Sequence, residues 1–358
     1  MLGLGVKKIK QGQMKAVLTM GFGGIEQLAY REDVPVPHPA KDEVLIKVGA
    51  CGLNNTDIWT REGKYGGSVD LNAQGGWKGE PFHFPRIQGA DIVGQIVEVG
   101  ENISSTQIGK RVMVNPTLYK GDSNDSIYNS QFIGSERDGG FAEFVTVPME
   151  NVIPIQSPLS DAELATFMVS YMTAEHMLNR GQVTQGQTVL VTGASGGVGS
   201  AALQLAKRRG AKLIGMVNHG KESMALKFGA DHIIHRGGII RDELNKIDIR
   251  EVDMVIDIVA GDQVNDLLEV LRPGGKLVIA GAIAGPVTKI DWRKVYLKYL
   301  DILGSTLGTM EEAKDIVRYI ERGEIKPVLH KAYSLHELAQ AQVDFMNKKH
   351  FGKLSIIP

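Results

Sequence analysis

Along the first 150 residues, apolar positions alternate with polar ones or gather in short β-branched runs. "EVLIKVGACGL", "DIVGQIVEVG", "RVMVN" and "FAEFVTVP" are the clearest cases. Such spacing predicts strands broken by turns, the first of them at Met14–Thr19. Residues 66–85 and 117–138 interrupt this pattern with long, polar, glycine-rich stretches, which reads as surface loops over a scaffold. From about Ser160 the period changes. "DAELATFMVSYMTAEHMLNR" has helical spacing, and it is followed by short apolar strands alternating with amphipathic helices up to "KLVIAGAIAG". That alternation predicts a parallel sheet with helices on both faces. Two more helices, "MEEAKDIVRYIERG" and "LHELAQAQVDFMNKK", precede a last strand, "GKLSIIP", which is expected to return to the first domain. The expected division is therefore 1–157 with 304–358 as one domain, residues 1–13 being a flexible extension, and 158–303 as the other.

Composition adds mainly exclusions. The 358 residues are 43% hydrophobic and 23% charged, ordinary for a globular protein of two domains. A net charge of −1 offers no footprint for nucleic acid or an anionic membrane. A single cysteine, Cys51, excludes an intrachain disulfide framework and a cluster of thiolate ligands. No uncharged apolar run reaches the roughly 18 residues of a membrane span. The opening "MLGLGVKKIKQGQ" is too short and weakly apolar for a signal peptide, so a cytoplasmic location is expected.

The strongest chemical signal is the strand "TVLVTG" running into "ASGGVG" and then the helix "SAALQLAKRRG". Strand, glycine turn and helix opening form the setting of a dinucleotide fingerprint. Ala194, Ser195, Gly196, Gly197, Val198 and Gly199 are the expected cofactor-binding turn. Gly196 and Gly197 would let the backbone approach a pyrophosphate, and Gly199 would let helix and strand pack closely. The same string occurs in short-chain dehydrogenases, but those need a Tyr-x-x-x-Lys pair, and none of the nine tyrosines has lysine four residues later. An NAD site usually carries an acidic residue about 20 positions beyond the glycines, to bond the ribose hydroxyls. Here the second strand ends in Asn218, His219, Gly220 and Lys221. The missing carboxylate favours NADP(H), with Asn218, Lys221 and Arg236 as candidates near the 2′-phosphate.

Taken together, "GADIVGQIVEVG", "GKRV", "GGFAEFVTVP", "MTAEHML", "GASGGVGSAALQLAK", "LRPGGKLV" and Gly304–Ser305 resemble the medium-chain dehydrogenase/reductase superfamily over Met14 to Pro358. The superfamily holds zinc alcohol dehydrogenases and zinc-free quinone reductases. The resemblance implies an α/β fold, a GroES-like catalytic domain with a Rossmann domain and an active site in the cleft between them. It also implies where catalytic zinc ligands would stand. Those positions are Asn54, Ala90 in Gly89-Ala90-Asp91, and Val169, four residues before Thr173. They do not make the three N, S or O ligands that zinc requires. Cys51 lies three residues before the ligand position and is expected to be a small buried residue. The loop after "RVMVNP" has no structural-zinc cysteines either, so no metal is expected.

Without zinc to hold an alkoxide, acceptors that spread charge through their own carbonyl are favoured: quinones and α,β-unsaturated carbonyl compounds. "GLNNTDIWTREGKYG" resembles the zinc-free quinone and enoyl-thioester reductases. By that resemblance the nicotinamide would lie near Asn54 and Thr173. Lys353 would reach the cofactor from the returning catalytic domain, and Tyr65 would donate a proton or hydrogen bond to the substrate. Asn54 and Tyr65 are thus the catalytic candidates, Trp59 and Tyr65 the substrate-pocket candidates, and Asp57 is structural. A 2-enoyl thioester reductase and a non-catalytic NADP-binding scaffold are the competing readings. A homodimer joined edge to edge through "KLVIAGAIAG" or "DILGSTLG" is the implied assembly. "GGWKGEPFHFP" would bring aromatic residues towards the substrate site.

Overall fold

The computed structural model describes residues 12–66, 75–77, 82–120 and 127–358. It divides into two units, 1–165 with 331–348 and 354–358, and 166–330 with 349–353.

In the first unit, strands β1 (Gln13–Thr19), β2 (Leu28–Pro35) and β3 (Glu43–Gly52) are followed by a short helix α1 (Asn55–Arg61). The chain then runs through β4 (Arg86–Ile87), β5 (Asp91–Val99), β6 (Arg111–Val114), β7 (Thr117–Tyr119), β8 (Ser130–Phe132), β9 (Phe144–Pro148) and β10 (Val152–Pro154) to helix α2 (Asp161–Leu164). β1 pairs antiparallel with both β2 and β4 in a small sheet, while β3 pairs antiparallel with β5 and β9. Alternation along β3 turns Val44, Ile46 and Val48 into a core that also takes Ile92, Ile96, Phe141 and Val145. Cys51 is fully buried in this strand, and a Cβ on Gly89 or Gly140 would lie 2.8 Å or 3.0 Å from its sulfur. Its neighbours are thus glycines that leave room for it, as expected of a packed residue.

The second unit opens with α3 (Met168–Gly181), β11 (Thr188–Val191), α4 (Gly197–Arg208), β12 (Lys212–Val217), α5 (Glu222–Lys227), β13 (His232–His235) and α6 (Ile240–Asn245). It continues with β14 (Val252–Asp257), α7 (Val264–Val270), β15 (Leu271–Ile279), α8 (Trp292–Leu297), β16 (Asp301–Gly304) and α9 (Met310–Glu321). Its six strands are all parallel in the order β13-β12-β11-β14-β15-β16. That is the doubly wound order, in which the direction of winding reverses between β11 and β14. Near-continuous apolar strands such as "VLV" in β11 suit a sheet covered on both faces. Among the described residues no helix is long and apolar enough to cross a membrane.

After β17 (Leu329–Ser334) and α10 (Leu338–Met346), β18 (Lys353–Ile357) pairs antiparallel with β3, Ser355 opposite Gly52 and Ile356 opposite Cys51. The last strand does return to the first unit. Two expectations need correction. The stretch from Asp161 is not one helix: α2 ends at Leu164 and α3 starts at Met168. The Ala165 carbonyl in the break sits against Gly52, where a Cβ would come within 2.0 Å. Residues 304–330 belong to the second unit rather than the first. The reason is α9, whose Glu312 accepts hydrogen bonds from Asn179 and pairs with His176 at 3.0 Å, both on α3.

Candidate functional site

The glycine turn follows β11, at the carboxyl end of the sheet beside the point of reversal. Gly196 is the N-cap of α4 in an extended conformation, φ −86° and ψ 178°. The glycines differ in what they make room for. A Cβ on Gly199 would lie 2.3 Å from the Gly193 oxygen and 2.7 Å from Ala194 Cα, so its absence lets helix and strand approach. A Cβ on Gly197 would lie 2.5 Å from Ser170 Oγ and 2.8 Å from Lys353 Cδ. Gly197 therefore also makes room for packing within the unit. At Gly196 a Cβ would meet only the Gly193 oxygen, at 3.5 Å. Nothing in the protein requires glycine there, which leaves room for a ligand against the backbone. The N-terminus of the twelve-residue α4 adds its unpaired N–H groups and positive dipole end. This arrangement fits a dinucleotide pyrophosphate.

Two lysine side chains frame that turn within the same unit. The Gly352 N–H donates to the Ser195 carbonyl at 2.8 Å, which seats the buried Lys353 beside Gly197. Lys353 thus belongs to the second unit itself and does not arrive from the first. Lys221 donates to the His350 carbonyl at 2.7 Å and reaches Ser195 Oγ at 3.5 Å. Burial lowers its pKa below the ordinary lysine value. Lys221 is therefore gathered towards the turn rather than left as a solvated charge. Asn218 and Arg236 are exposed, and the Arg236 N–H donates to the Val217 carbonyl at 3.0 Å. Val198 and Ala194 complete the turn, Ala194 fully buried with its N–H on the Met216 carbonyl. Thr173, on α3, donates its hydroxyl back to the Val169 carbonyl at 2.6 Å.

Sequence reasoning missed a group at the point of reversal. Thr192 after β11 donates to Asp257 Oδ1 at 2.6 Å, and the same carboxylate accepts the Val259 and Ala260 N–H groups. Burial raises the Asp257 pKa, against the effect of these donors. They hold Ala260 at φ +52°, ψ −141°, a conformation rare for a residue with a side chain. A polar residue closing the apolar run "DMVIDIV" was the available signal. A hollow of about 550 Å³ lined by Thr188, Lys207, Lys212, Asp231 and His232 opens at the amino ends of β11 and β12, the opposite edge from the glycine turn. Ligands of such sheets bind at the carboxyl ends, so this hollow is not the candidate site.

In the first unit, Asn54 caps α1. Its N–H donates to Asp57 Oδ2 at 2.7 Å, so Asp57 is structural, as expected. The Asn54 amide donates to Asp91 Oδ2 at 2.9 Å and to the Gly52 carbonyl at 3.3 Å. Ala90, fully buried, precedes Asp91. Trp59 and Tyr65 are half-buried and meet edge to face, centroids 5.7 Å apart. Burial of the Tyr65 hydroxyl, then the nearby Asp57 carboxylate, raises its pKa well above the ordinary tyrosine value. The phenol stays protonated at neutral pH. The described aromatic residues of the segment expected near a substrate site make ring contacts within this unit. Trp77 packs on Phe132 at 5.5 Å, and Phe82 and Phe84 cluster with Phe22. Residues 67–74 and 78–81 of that segment, and 121–126 of the second loop, lie outside the described residues.

Known proteins bear on these two constructions. Residues 40–157 match the alcohol dehydrogenase GroES-like domain, and residues 197–322 match the zinc-binding dehydrogenase family. The mouse (Mus musculus) quinone oxidoreductase is 30% identical over 351 residues, covering 94% of this chain and 95% of the relative. The chain belongs to the medium-chain dehydrogenase/reductase superfamily. Within it, the acryloyl-coenzyme A reductase of Sulfurisphaera tokodaii is also 30% identical, over 96% of this chain and all of that protein (100%). A solved structure from Sinorhizobium meliloti 1021, provisionally assigned as an alcohol dehydrogenase, superimposes with a TM-score of 0.95 at 47% identity, covering 98% of each chain. The α/β fold with a GroES-like and a parallel-sheet Rossmann domain is that of the superfamily, and the protein is an oxidoreductase of it.

Proposed function

We propose that this protein is a zinc-independent, NADPH-dependent reductase of α,β-unsaturated carbonyl compounds or quinones. The observation that carries the reading is the set of side chains at the zinc positions: Asn54, Ala90 and Val169. Two of the three are hydrocarbon, and the amide of Asn54 is engaged by Asp91 and Gly52. This set does not fit a catalytic zinc ion, which takes three protein ligands. Preference for NADPH is supported by the absence of a carboxylate at the end of β12 and by Lys221 beside the glycine turn.

A reduced nicotinamide, when bound, would supply the hydride, the two electrons that reduce the β-carbon of an enone as the ring is oxidised. The residues of the chain do the rest. The turn around Gly196 would hold the pyrophosphate, and Lys221 with Arg236 would take the 2′-phosphate. Thr173 in the second unit would orient the nicotinamide end, with Lys353 beside the turn, and Asn54 is the candidate for that role in the first unit. Tyr65, kept protonated, gives its proton to the α-carbon or bonds the enolate oxygen. Trp59 packs beside Tyr65 and lines the substrate pocket. The likeness to the acryloyl-coenzyme A reductase supports enoyl thioesters as the second substrate class.

The second unit also presents Val287, Trp292, Tyr296, Leu297 and Tyr299 to solvent beside β16, the edge strand of its sheet. An apolar patch at an open edge supports the homodimer.

The test follows NADPH and NADH absorbance with chelator-treated protein against a small quinone, an enone and crotonyl-CoA. NADPH oxidation that survives chelation is expected with one acceptor class. Activity lost on chelation and restored by zinc would refute zinc independence, and a preference for NADH would refute the cofactor assignment. Tight NADPH binding without turnover on any acceptor would favour a binding protein.

A further inference from the structure

Outside the residues used above, one group of side chains in the second unit has the composition of a metal site. His219 follows β12, Glu222 opens α5 and His235 ends β13, and one ligand atom from each lies within 4.8 Å of the other two. We propose that His219, Glu222 and His235 bind a divalent transition-metal ion of the zinc class, a site distinct from the catalytic zinc positions of the superfamily.

The distances carry the argument. Zinc bonds to histidine nitrogen and carboxylate oxygen are about 2.0–2.1 Å, so tetrahedral ligand atoms stand roughly 3.3 Å apart. Glu222 Oε1 is 2.9 Å from His235 Nε2 and 3.6 Å from His219 Nδ1, values on either side of that separation. The imidazoles stack with centroids 3.9 Å apart and planes 21° apart. The His219 side chain is 81% exposed, so it can swing the short distance that closes the triangle.

A second observation concerns what lies behind His235. A ligating histidine usually turns its other ring nitrogen to a carboxylate or carbonyl, which sets tautomer and orientation. His235 Nδ1 faces Glu243 Oε2 at 3.8 Å, and the same oxygen accepts the His235 backbone N–H at 3.2 Å. His235 thus has Glu222 at hydrogen-bond distance on Nε2 and the Glu243 carboxylate 3.8 Å beyond Nδ1, near enough to close onto that nitrogen. Lys221, adjacent in sequence, donates to the His350 carbonyl. The ligands are imidazole, imidazole and carboxylate, which suits zinc, cobalt or nickel better than calcium or magnesium. Three protein ligands leave a fourth position for water or an anion.

The site does not depend on the reductase reading, and its test uses no turnover. Full-length protein without a polyhistidine tag is stripped with chelator and titrated with Zn²⁺ by calorimetry and with Co²⁺ by visible absorption. One ion per chain and a rise in melting temperature are expected. His219→Ala, at an exposed position where folding is not at risk, should weaken binding at least tenfold. The double variant His219→Ala/His235→Ala should abolish both the Co²⁺ spectrum and the thermal shift. Glu243→Gln should weaken Zn²⁺ by about 10–100-fold while one ion per chain still binds. No binding below millimolar metal, or unchanged stoichiometry and affinity in the double variant, overturns the proposal.

Discussion

Substituting alanine for Gly196 and for Gly199, three residues apart, should have opposite consequences. At Gly199 the new methyl would lie 2.3 Å and 2.7 Å from backbone atoms of Gly193 and Ala194. Backbone cannot rotate away, so overpacking at the upper end of its usual range, about 3 kcal/mol, applies. Alanine regains about 1 kcal/mol of helix propensity, leaving a net loss of about 2 kcal/mol. For a domain of this size that is a fall in melting temperature of about 4–8 °C. At Gly196 the backbone is extended and the nearest atom is 3.5 Å away, so stability should stay within about 0.5 kcal/mol of the parent. The methyl there points into the space where the pyrophosphate is proposed to pack. NADPH affinity should drop by about 10–100-fold, or about 1.4–2.7 kcal/mol. Thermal melting read alongside a fluorescence titration with NADPH separates the two effects. If Gly196→Ala binds NADPH like the parent, the phosphates do not approach this turn and the cofactor placement is wrong. If Gly199→Ala melts like the parent, the packing argument fails.

Three further outcomes follow from the geometry. Tyr65→Phe should lower kcat by about 10²–10⁴ if the phenol donates the proton. Because burial and then Asp57 raise its pKa, the proton stays on up to and beyond the ordinary tyrosine value of about 10. The parent-to-variant ratio should therefore be constant from about pH 6 to about pH 9, and a ratio falling towards one at the alkaline end would show that the phenol ionises there. Lys221→Ala should raise the Kd for NADPH by about 10–100-fold, as for loss of a charge-assisted hydrogen bond, and leave NADH nearly unchanged. Equal losses for both cofactors in the same titration would assign Lys221 to the turn itself. Leu297→Glu with Tyr299→Glu, both in the exposed patch beside β16, should convert a dimer to a monomer by light scattering with melting unchanged. A parent that is already monomeric at micromolar concentration would remove the dimer from the proposal.

Local pattern determined much of this protein. The alternation in "EVLIKVGACGL" and the apolar run "TVLV" predict strands because their side-chain period reports which faces are buried, and both are strands here. "GASGGVG" placed the turn between strand and helix, since only glycine tolerates backbone atoms at Cβ distance, as at Gly199. The last strand declared itself by its own apolar spacing, but its partner, β3, is a non-local choice. What only the tertiary structure decided depends on groups far apart in the chain. Gly197 faces Ser170 and Lys353, and Lys353 belongs with the second unit because the Gly352 N–H bonds the Ser195 carbonyl. α9 sits with α3 through Glu312, a pairing its amphipathic pattern could not name. His219, Glu222 and His235 come together because parallel strands β12 and β13 end side by side, bringing their carboxyl-terminal loops to one edge of the sheet. Periodicity records which face of an element is buried; it does not record which distant element buries it, and a site made of several elements is settled only when the sheet is assembled.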